Sequence, residues 1–258
     1  MAIRCVYTDL DGTMLGRGGS LFRTAEGAFT LLPARALEAC HRAGVEVVIK
    51  SGRRRAQVME DARLIGQSSY IFEVGTGMAL DGEVTFLTGD LQPREDATIH
   101  EQIAASGAPD LLMRHYEGRL EPHLPWALDR EVSHLFRGDV DADQANRLLI
   151  AEGHEGLRLV DNGWIAPDTH GFHLIPAGCS KAAAVAAHMR ARGYAREECI
   201  GVGDSAEDLD VAAVVGRLFL VANSDAGDGS AYANVERTES EMSEGFYEAV
   251  IRTLAEAR

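Results

Sequence analysis

Ile3-Arg4-Cys5-Val6-Tyr7-Thr8 runs straight into Asp9-Leu10-Asp11-Gly12-Thr13. The β-branched and aromatic run reads as a buried strand of a parallel sheet. The two carboxylates at positions i and i+2 fall at its C-terminal end, where open α/β sheets place their ligands. Gly12 allows a sharp turn, and Thr13 can hydrogen-bond whatever that turn encloses. Two like charges this close stay ionised at low cost only with a cation between them. The stretch therefore predicts a metal-dependent site at the first strand end.

A strand–helix rhythm continues from there. Pro33 to Ala43 reads as a helix with Pro at its start and Gly44 as its stop. Val45 to Ile49 is a second strand ending at Lys50-Ser51-Gly52-Arg53, and a helix carrying Val58, Ala62 and Ile65 follows. Ser69 to Val74 is a third strand. Beyond it the pattern changes: Met78 to Leu87 reads as a hairpin around Asp81-Gly82, and Asn162-Gly163 as the turn of another. Pro93 to Ser106 and Asp143 to Glu152 read as helices, and Val132 to Arg137 as extended chain. The parallel rhythm resumes at Phe172-His173-Leu174-Ile175. A helix from Ser180 to Arg192, a strand from Cys199 to Gly203 ending at Asp204, a helix from Ala206 to Val215 and a strand at Leu218 to Val221 follow. The last helix covers about Glu241 to Arg258. The expected fold is α/β, a Rossmann-like parallel-sheet core (1–80 and 171–258) with an inserted α+β cap (81–170).

The 258 residues suit a core and a smaller companion domain, with 46% hydrophobic and 25% charged residues. A net charge of −15 speaks against nucleic-acid or anionic-membrane partners. No stretch approaches the ~18 apolar residues of a membrane span, and no signal pattern opens the chain. Four scattered cysteines without a C-x-x-C pair are expected to be free thiols, so the expected compartment is the cytoplasm. Among 25 basic residues only Lys50 and Lys181 are lysines, which makes each of them an exception.

Four segments fall at strand ends or helix starts: Asp9-x-Asp11-Gly12-Thr13, Ser51-Gly52, Lys181, and Gly203-Asp204 with Asp208. Each alone has an ordinary reading as a turn, a cap or a surface charge. Together they supply what phosphoryl transfer needs: a nucleophile, a proton donor for the leaving oxygen, and positive charge around the phosphoryl oxygens. Asp9 can attack phosphorus and Asp11 can protonate the leaving alcohol. Mg2+ is the expected cofactor, held by Asp9, Asp11 through its backbone carbonyl, and Asp204, with waters completing its shell. Asp208, one turn after Asp204, can hold a metal-bound water or the lysine ammonium. Ser51 and the Gly52 amide suit phosphate oxygens, and Lys181 adds a compact charge.

These motifs resemble those of the haloacid dehalogenase superfamily: D-x-D-x-[TV], [ST], K, and G-D-x-x-x-D. An α/β cap between the second and third resembles the Cof-type subgroup of sugar, phosphoglycolate, mannosyl-3-phosphoglycerate and sucrose phosphatases. The resemblance implies a Mg2+-dependent nucleophile at Asp9 and acid/base chemistry at Asp11, acting on a small-molecule phosphate ester. The chain departs from the subgroup twice. Glu207 replaces the usual Asn of G-D-S-x-N-D and is expected to face solvent. Glu73-Val74-Gly75-Thr76-Gly77 lacks the usual Asn-Gly-Ala. A mutase of the same superfamily, a phospho-accepting signalling domain and a binding protein without catalysis are the rival readings. Arg53 is expected near phosphate or on a cap carboxylate. The cap histidines His100, His115, His123 and His134 are expected at surface or packing positions; Arg114, Arg119, Arg130 and Arg137 read equally as contacts for an anionic substrate or as a solvated face, and Trp126 and Trp164 as cap core or as a sugar-stacking platform.

Overall fold

The computed structural model describes residues 2–166, 168–227 and 229–256. Along the chain come β1 (Cys5–Thr8), α1 (Leu32–Ala43), β2 (Glu46–Lys50), α2 (Arg55–Leu64), β3 (Tyr70–Phe72), β4 (Gly77–Leu80) and β5 (Glu83–Phe86). Then follow α3 (Ile99–Ala105), α4 (Ala108–His115), β6 (Leu120–Pro122), β7 (His134–Gly138), α5 (Ala142–Ala151), β8 (Leu157–Ala166) and β9 (Thr169–Pro176). The chain closes with α6 (Lys181–Arg192), β10 (Cys199–Gly203), α7 (Ala206–Leu209), β11 (Arg217–Leu220), β12 (Val235–Arg237) and α8 (Met242–Glu256). The end of the expected last helix, residues 257–258, lies outside the described residues.

The larger sheet has the order β12-β11-β10-β1-β2-β3-β4-β5. From β12 to β3 every pairing is parallel, and the β3–β4 and β4–β5 pairings are antiparallel. Helices cover both faces, which the alternation of side chains in β1 requires. Val6 points to the layer of Leu37, Val58 and Phe246, whereas Cys5 and Tyr7 point to that of Val185, Met189 and Val211. The chain leaves β1 toward β2 on one side and returns through β10 on the other. The C-terminal ends of β10, β1 and β2 therefore meet at the switch in strand order, where a crevice opens.

The smaller sheet, β6-β7-β9-β8, is antiparallel throughout. Ile99 and Ile103 of α3, Leu112 of α4 and Leu149 of α5 pack with Phe136, Leu159, Phe172 and Leu174 as its core. Thr98 caps α3 in a reciprocal box with Glu101.

Several expectations change here. Phe172–Ile175 does not return to the parallel sheet: it lies in β9, paired antiparallel with β7 and β8. An apolar run fits a strand covered on both faces in either sheet, so periodicity alone cannot assign it. The 77–86 hairpin extends the larger sheet, turning through Asp81 and Gly82, both at positive φ. Asn162-Gly163 is not a turn. β8 runs through it with a shift of register between Asp161 and Trp164, and Gly163 at φ 91° donates its N–H to Oδ1 of Asp161 (2.9 Å). The segment read as one helix from Pro93 is helical only from Ile99, and α4 is additional, entered from Gly107 at positive φ with Pro at its start. The helix read from Ala206 to Val215 is one α turn followed by a 3-10 turn.

Candidate active site

Asp9 leaves β1 almost buried. Its Oδ1 accepts from the Leu10 amide (2.7 Å) and its Oδ2 from Nζ of Lys181 (2.7 Å). The Asp9 amide donates to the carbonyl of Val202 on β10 (3.1 Å), which ties the two strand ends. Gly12 turns the chain at φ 77°, and a Cβ there would collide with Oδ2 of Asp204. Only glycine permits both the backbone and that approach. Thr13, fully buried, donates to Oδ1 of Asp204 (2.6 Å).

Ligand oxygens of Asp9, Asp204 and Asp208 lie within 4.8 Å of one another. Burial, with Asp208 adding to it and Lys181 opposing, pushes the Asp9 carboxyl up to about 6. Burial, then the charges of Asp9 and Asp208, push Asp204 from 3.8 to about 8. A hard-oxygen set whose members resist ionising beside one another fits a divalent cation, which would reverse that repulsion. Asp208 behaves in the opposite way. Burial works against its charge, yet Lys181 and Lys50 outweigh that and hold it well below the usual carboxylate range. Its Oδ1 accepts from both lysines, and its Oδ2 from the hydroxyl (2.7 Å) and amide (3.1 Å) of Ser205. Of the two expected partners, Asp208 holds the ammonium.

The sign of the Asp204 shift makes a prediction. Its value in the folded protein lies above 3.8, so ionising it opposes folding, and the metal-free protein loses that stability as pH rises from 3.8 to about 8. A divalent cation binds the ionised form. The gain in Tm on adding Mg2+ is therefore expected to be larger at about pH 8 than at about pH 6. Calorimetric scans at both values check this; an equal gain contradicts it.

Asp11 is placed differently from Asp9. Its carboxylate, 58% exposed, is gripped by Arg53, with Nε on Oδ2 (2.8 Å) and Nη2 on Oδ1 (2.6 Å), so its side chain stands outside the carboxylate cluster. Arg53 also bonds Asp61 (2.9 Å), which fixes it between α2 and the first turn. Ser51, buried at the end of β2, accepts from the Arg53 amide (3.2 Å). The Gly52 carbonyl accepts from Nη1 of Arg130 (3.0 Å), a buried cap side chain. A Cβ at Gly52 would meet Asn162 and His173, so the cap lies directly on this loop.

Further residues brace the site. Asn223 donates to the Gly12 carbonyl (2.9 Å) and accepts from the Met242 amide (2.7 Å), and Ser224 donates to the Asp204 carbonyl (2.6 Å). Lys50 is fully buried against Asp208. Glu73, fully buried, accepts from the amides of Glu131 (3.0 Å), Val132 (3.2 Å) and Ser133 (2.7 Å) and from the Ser133 hydroxyl (2.9 Å). Glu73 thus grips the cap. Glu207 does not face solvent: it is buried and forms a two-pronged pair with Arg158 of β8 (2.9 and 3.1 Å). A second cluster, Cys5, Glu46 and His188, is already satisfied at Glu46, whose two oxygens hold Arg192 (2.9 Å) and Tyr194 (2.8 Å).

No protein-family model matches the chain. It is 27% identical to the phosphoglycolate phosphatase of Archaeoglobus fulgidus over 228 residues, 86% of this chain and 85% of that protein. It is 26% identical to that of Methanoculleus marisnigri over 250 residues, 96% and 95% of the two chains. Among solved structures, the sucrose-phosphatase of Synechocystis superposes with a TM-score of 0.67 at 16% identity, covering 98% of each chain. A haloacid dehalogenase-like hydrolase from B. subtilis superposes at 0.65 with 18% identity, covering 96% of this chain and 99% of that one. The chain therefore shares the fold of these capped proteins, a haloacid dehalogenase-like hydrolase among them. The curated proteins it resembles are named phosphoglycolate phosphatases.

Proposed function

We propose that the chain hydrolyses a short phospho-acid of the phosphoglycolate kind, with Mg2+ and with an aspartyl-phosphate formed at Asp9. The observation that carries the mechanism is the contact of Nζ of Lys181 with Oδ2 of Asp9 beside Asp204 and Asp208. Support for the substrate comes from the relatives, which are named phosphoglycolate phosphatases.

Asp9 attacks phosphorus with one oxygen while Leu10 and Lys181 hold the carboxylate in place. Lys181 follows the charge that moves onto the phosphoryl oxygens, and Ser51 with the Gly52 amide receives another of those oxygens. Asp11 leaves Arg53 to protonate the departing alkoxide, then takes a proton from the water that cleaves the acyl-phosphate. Bound by Asp9, Asp204 and the Asp11 carbonyl, Mg2+ would draw charge from the phosphoryl group. The cap, resting on Gly52, excludes bulk water and limits the size of the leaving group.

Phosphate release from a panel of esters with and without Mg2+ tests the reading. The expected result is the highest kcat/KM on phosphoglycolate, at least about tenfold over hexose phosphates, and loss of turnover in EDTA. A preference for sugar phosphates overturns the phospho-acid assignment. Turnover unaffected by EDTA overturns the metal.

A further inference from the structure

The two lysines of the chain meet at one carboxylate. Lys50 closes β2 after Val47, Val48 and Ile49, all fully buried apolar residues, and is itself 0% exposed. Its strand lies beside β1, which separates it from β10. The side chain nevertheless crosses the end of β1: Nζ donates to the Val202 carbonyl of β10 (3.0 Å) and to Oδ1 of Asp208. That carbonyl is the one that accepts from the Asp9 amide, and that Oδ1 is the one that accepts from Lys181 (3.0 Å). Burying an ammonium group costs several kcal/mol unless its partners compensate, and every neighbour on β2 shows that an apolar residue fits there. A position that needed only filling would not carry a lysine in a chain that otherwise uses arginine.

We propose that Lys50 is a positioning residue of the catalytic centre, neutralising Asp208 from behind so that Lys181 is left to serve Asp9 and the bound phosphoryl group. The inference rests on the reading of the site as a metal-assisted phosphatase. Three carboxylates, Asp9, Asp204 and Asp208, face two ammonium groups. Without Lys50, Asp208 draws on Lys181 alone, and the cluster carries one more negative charge. The same change should therefore act with opposite sign on cations and anions. A cation is drawn in more strongly, while the lysine that should meet an anion is held back by Asp208.

Lys50→Met, nearly isosteric and uncharged, separates this from a packing role. Calorimetric titration with Mg2+, and separately with inorganic phosphate, is read together with steady-state kinetics. The expected result is Mg2+ binding about fivefold tighter, phosphate binding about fivefold weaker and kcat lower by about tenfold, with a smaller change in KM. Loss of Tm without opposite movement of the two affinities overturns the proposal, because a packing defect weakens both or neither. If Lys50→Met does not fold, Asp208→Asn is compared with Asp208→Asn/Lys50→Met, which removes the buried pair together. There Asp208 carries no charge for Lys50 to neutralise or for Lys181 to answer, so the phosphate affinity must change less than about twofold when Lys50 is removed, and a further clear loss overturns the proposal. Wild-type protein that binds neither ion overturns the phosphatase reading itself, whereas wild-type binding with an unresponsive Lys50 variant overturns only this inference.

Discussion

Asp9→Asn is expected to lower turnover by about a thousandfold or more while the protein stays folded. The amide keeps the shape of the side chain and an oxygen for the Leu10 amide, so the turn after β1 keeps its anchor. What it lacks is a nucleophilic oxygen for phosphorus. Folding should not suffer, because the carboxyl resists ionisation in this buried place and its loss relieves repulsion of Asp204. Phosphate release and thermal unfolding measure the two halves of the claim. A rate within tenfold of wild type removes Asp9 as nucleophile; a collapse in Tm shows that the residue was holding the fold.

Lys181→Met should cost both activity and stability. Lys181 is fully buried at the start of α6, between Asp9 and Asp208. Burial opposes its charge, yet Asp208 and Asp9 outweigh burial and hold the ammonium above its ordinary range. Removing one member of a buried ion network costs about 3 kcal/mol or more, since the carboxylates left behind keep their desolvation penalty. Losing the charge that follows the phosphoryl oxygens should lower kcat by about a hundredfold or more. The acid limb of stability should move as well. Asp208 is held below 3.8, so its contribution is present above that value and is lost as pH falls below it. With Lys181 gone the depression shrinks, and acid unfolding begins at higher pH. Urea titration and steady-state kinetics decide; a kcat within threefold ends the role given to Lys181.

The strand ends were legible because their signals are local. Asp9, Ser51 and Asp204 each follow an apolar run at a fixed offset, and three neighbouring parallel strands bring such offsets together. Ser180 and Gly193 likewise announce both ends of α6, with Ser180 accepting from the Ala183 amide (3.0 Å). What was not legible depends on partners distant in sequence. Glu73 looks like a missing Asn until the amides of residues 131–133 are seen around it. Glu207 looks solvated until Arg158 of the cap reaches it. Asn162-Gly163 has the composition of a hairpin turn, and only the pairing of β8 with β9 shows a bulge there. For Lys50 a signal existed: a lysine in an arginine-rich chain, placed directly before Ser51, at a strand end already rich in chemistry.

Glu73 and Val74 both take the left-handed conformation, at φ 46° and 58°. Non-glycine residues hold it only where their surroundings insist. The insistence comes from two sides. The following Gly75 presses against the Ser180 carbonyl at the head of α6, while the Glu73 carboxylate clasps the inserted unit. One short bend therefore touches both the helix that carries Lys181 and the cap. Lifting the lid straight off would strand an ion in a dry seam. A pivot about that seam would keep the clasp closed.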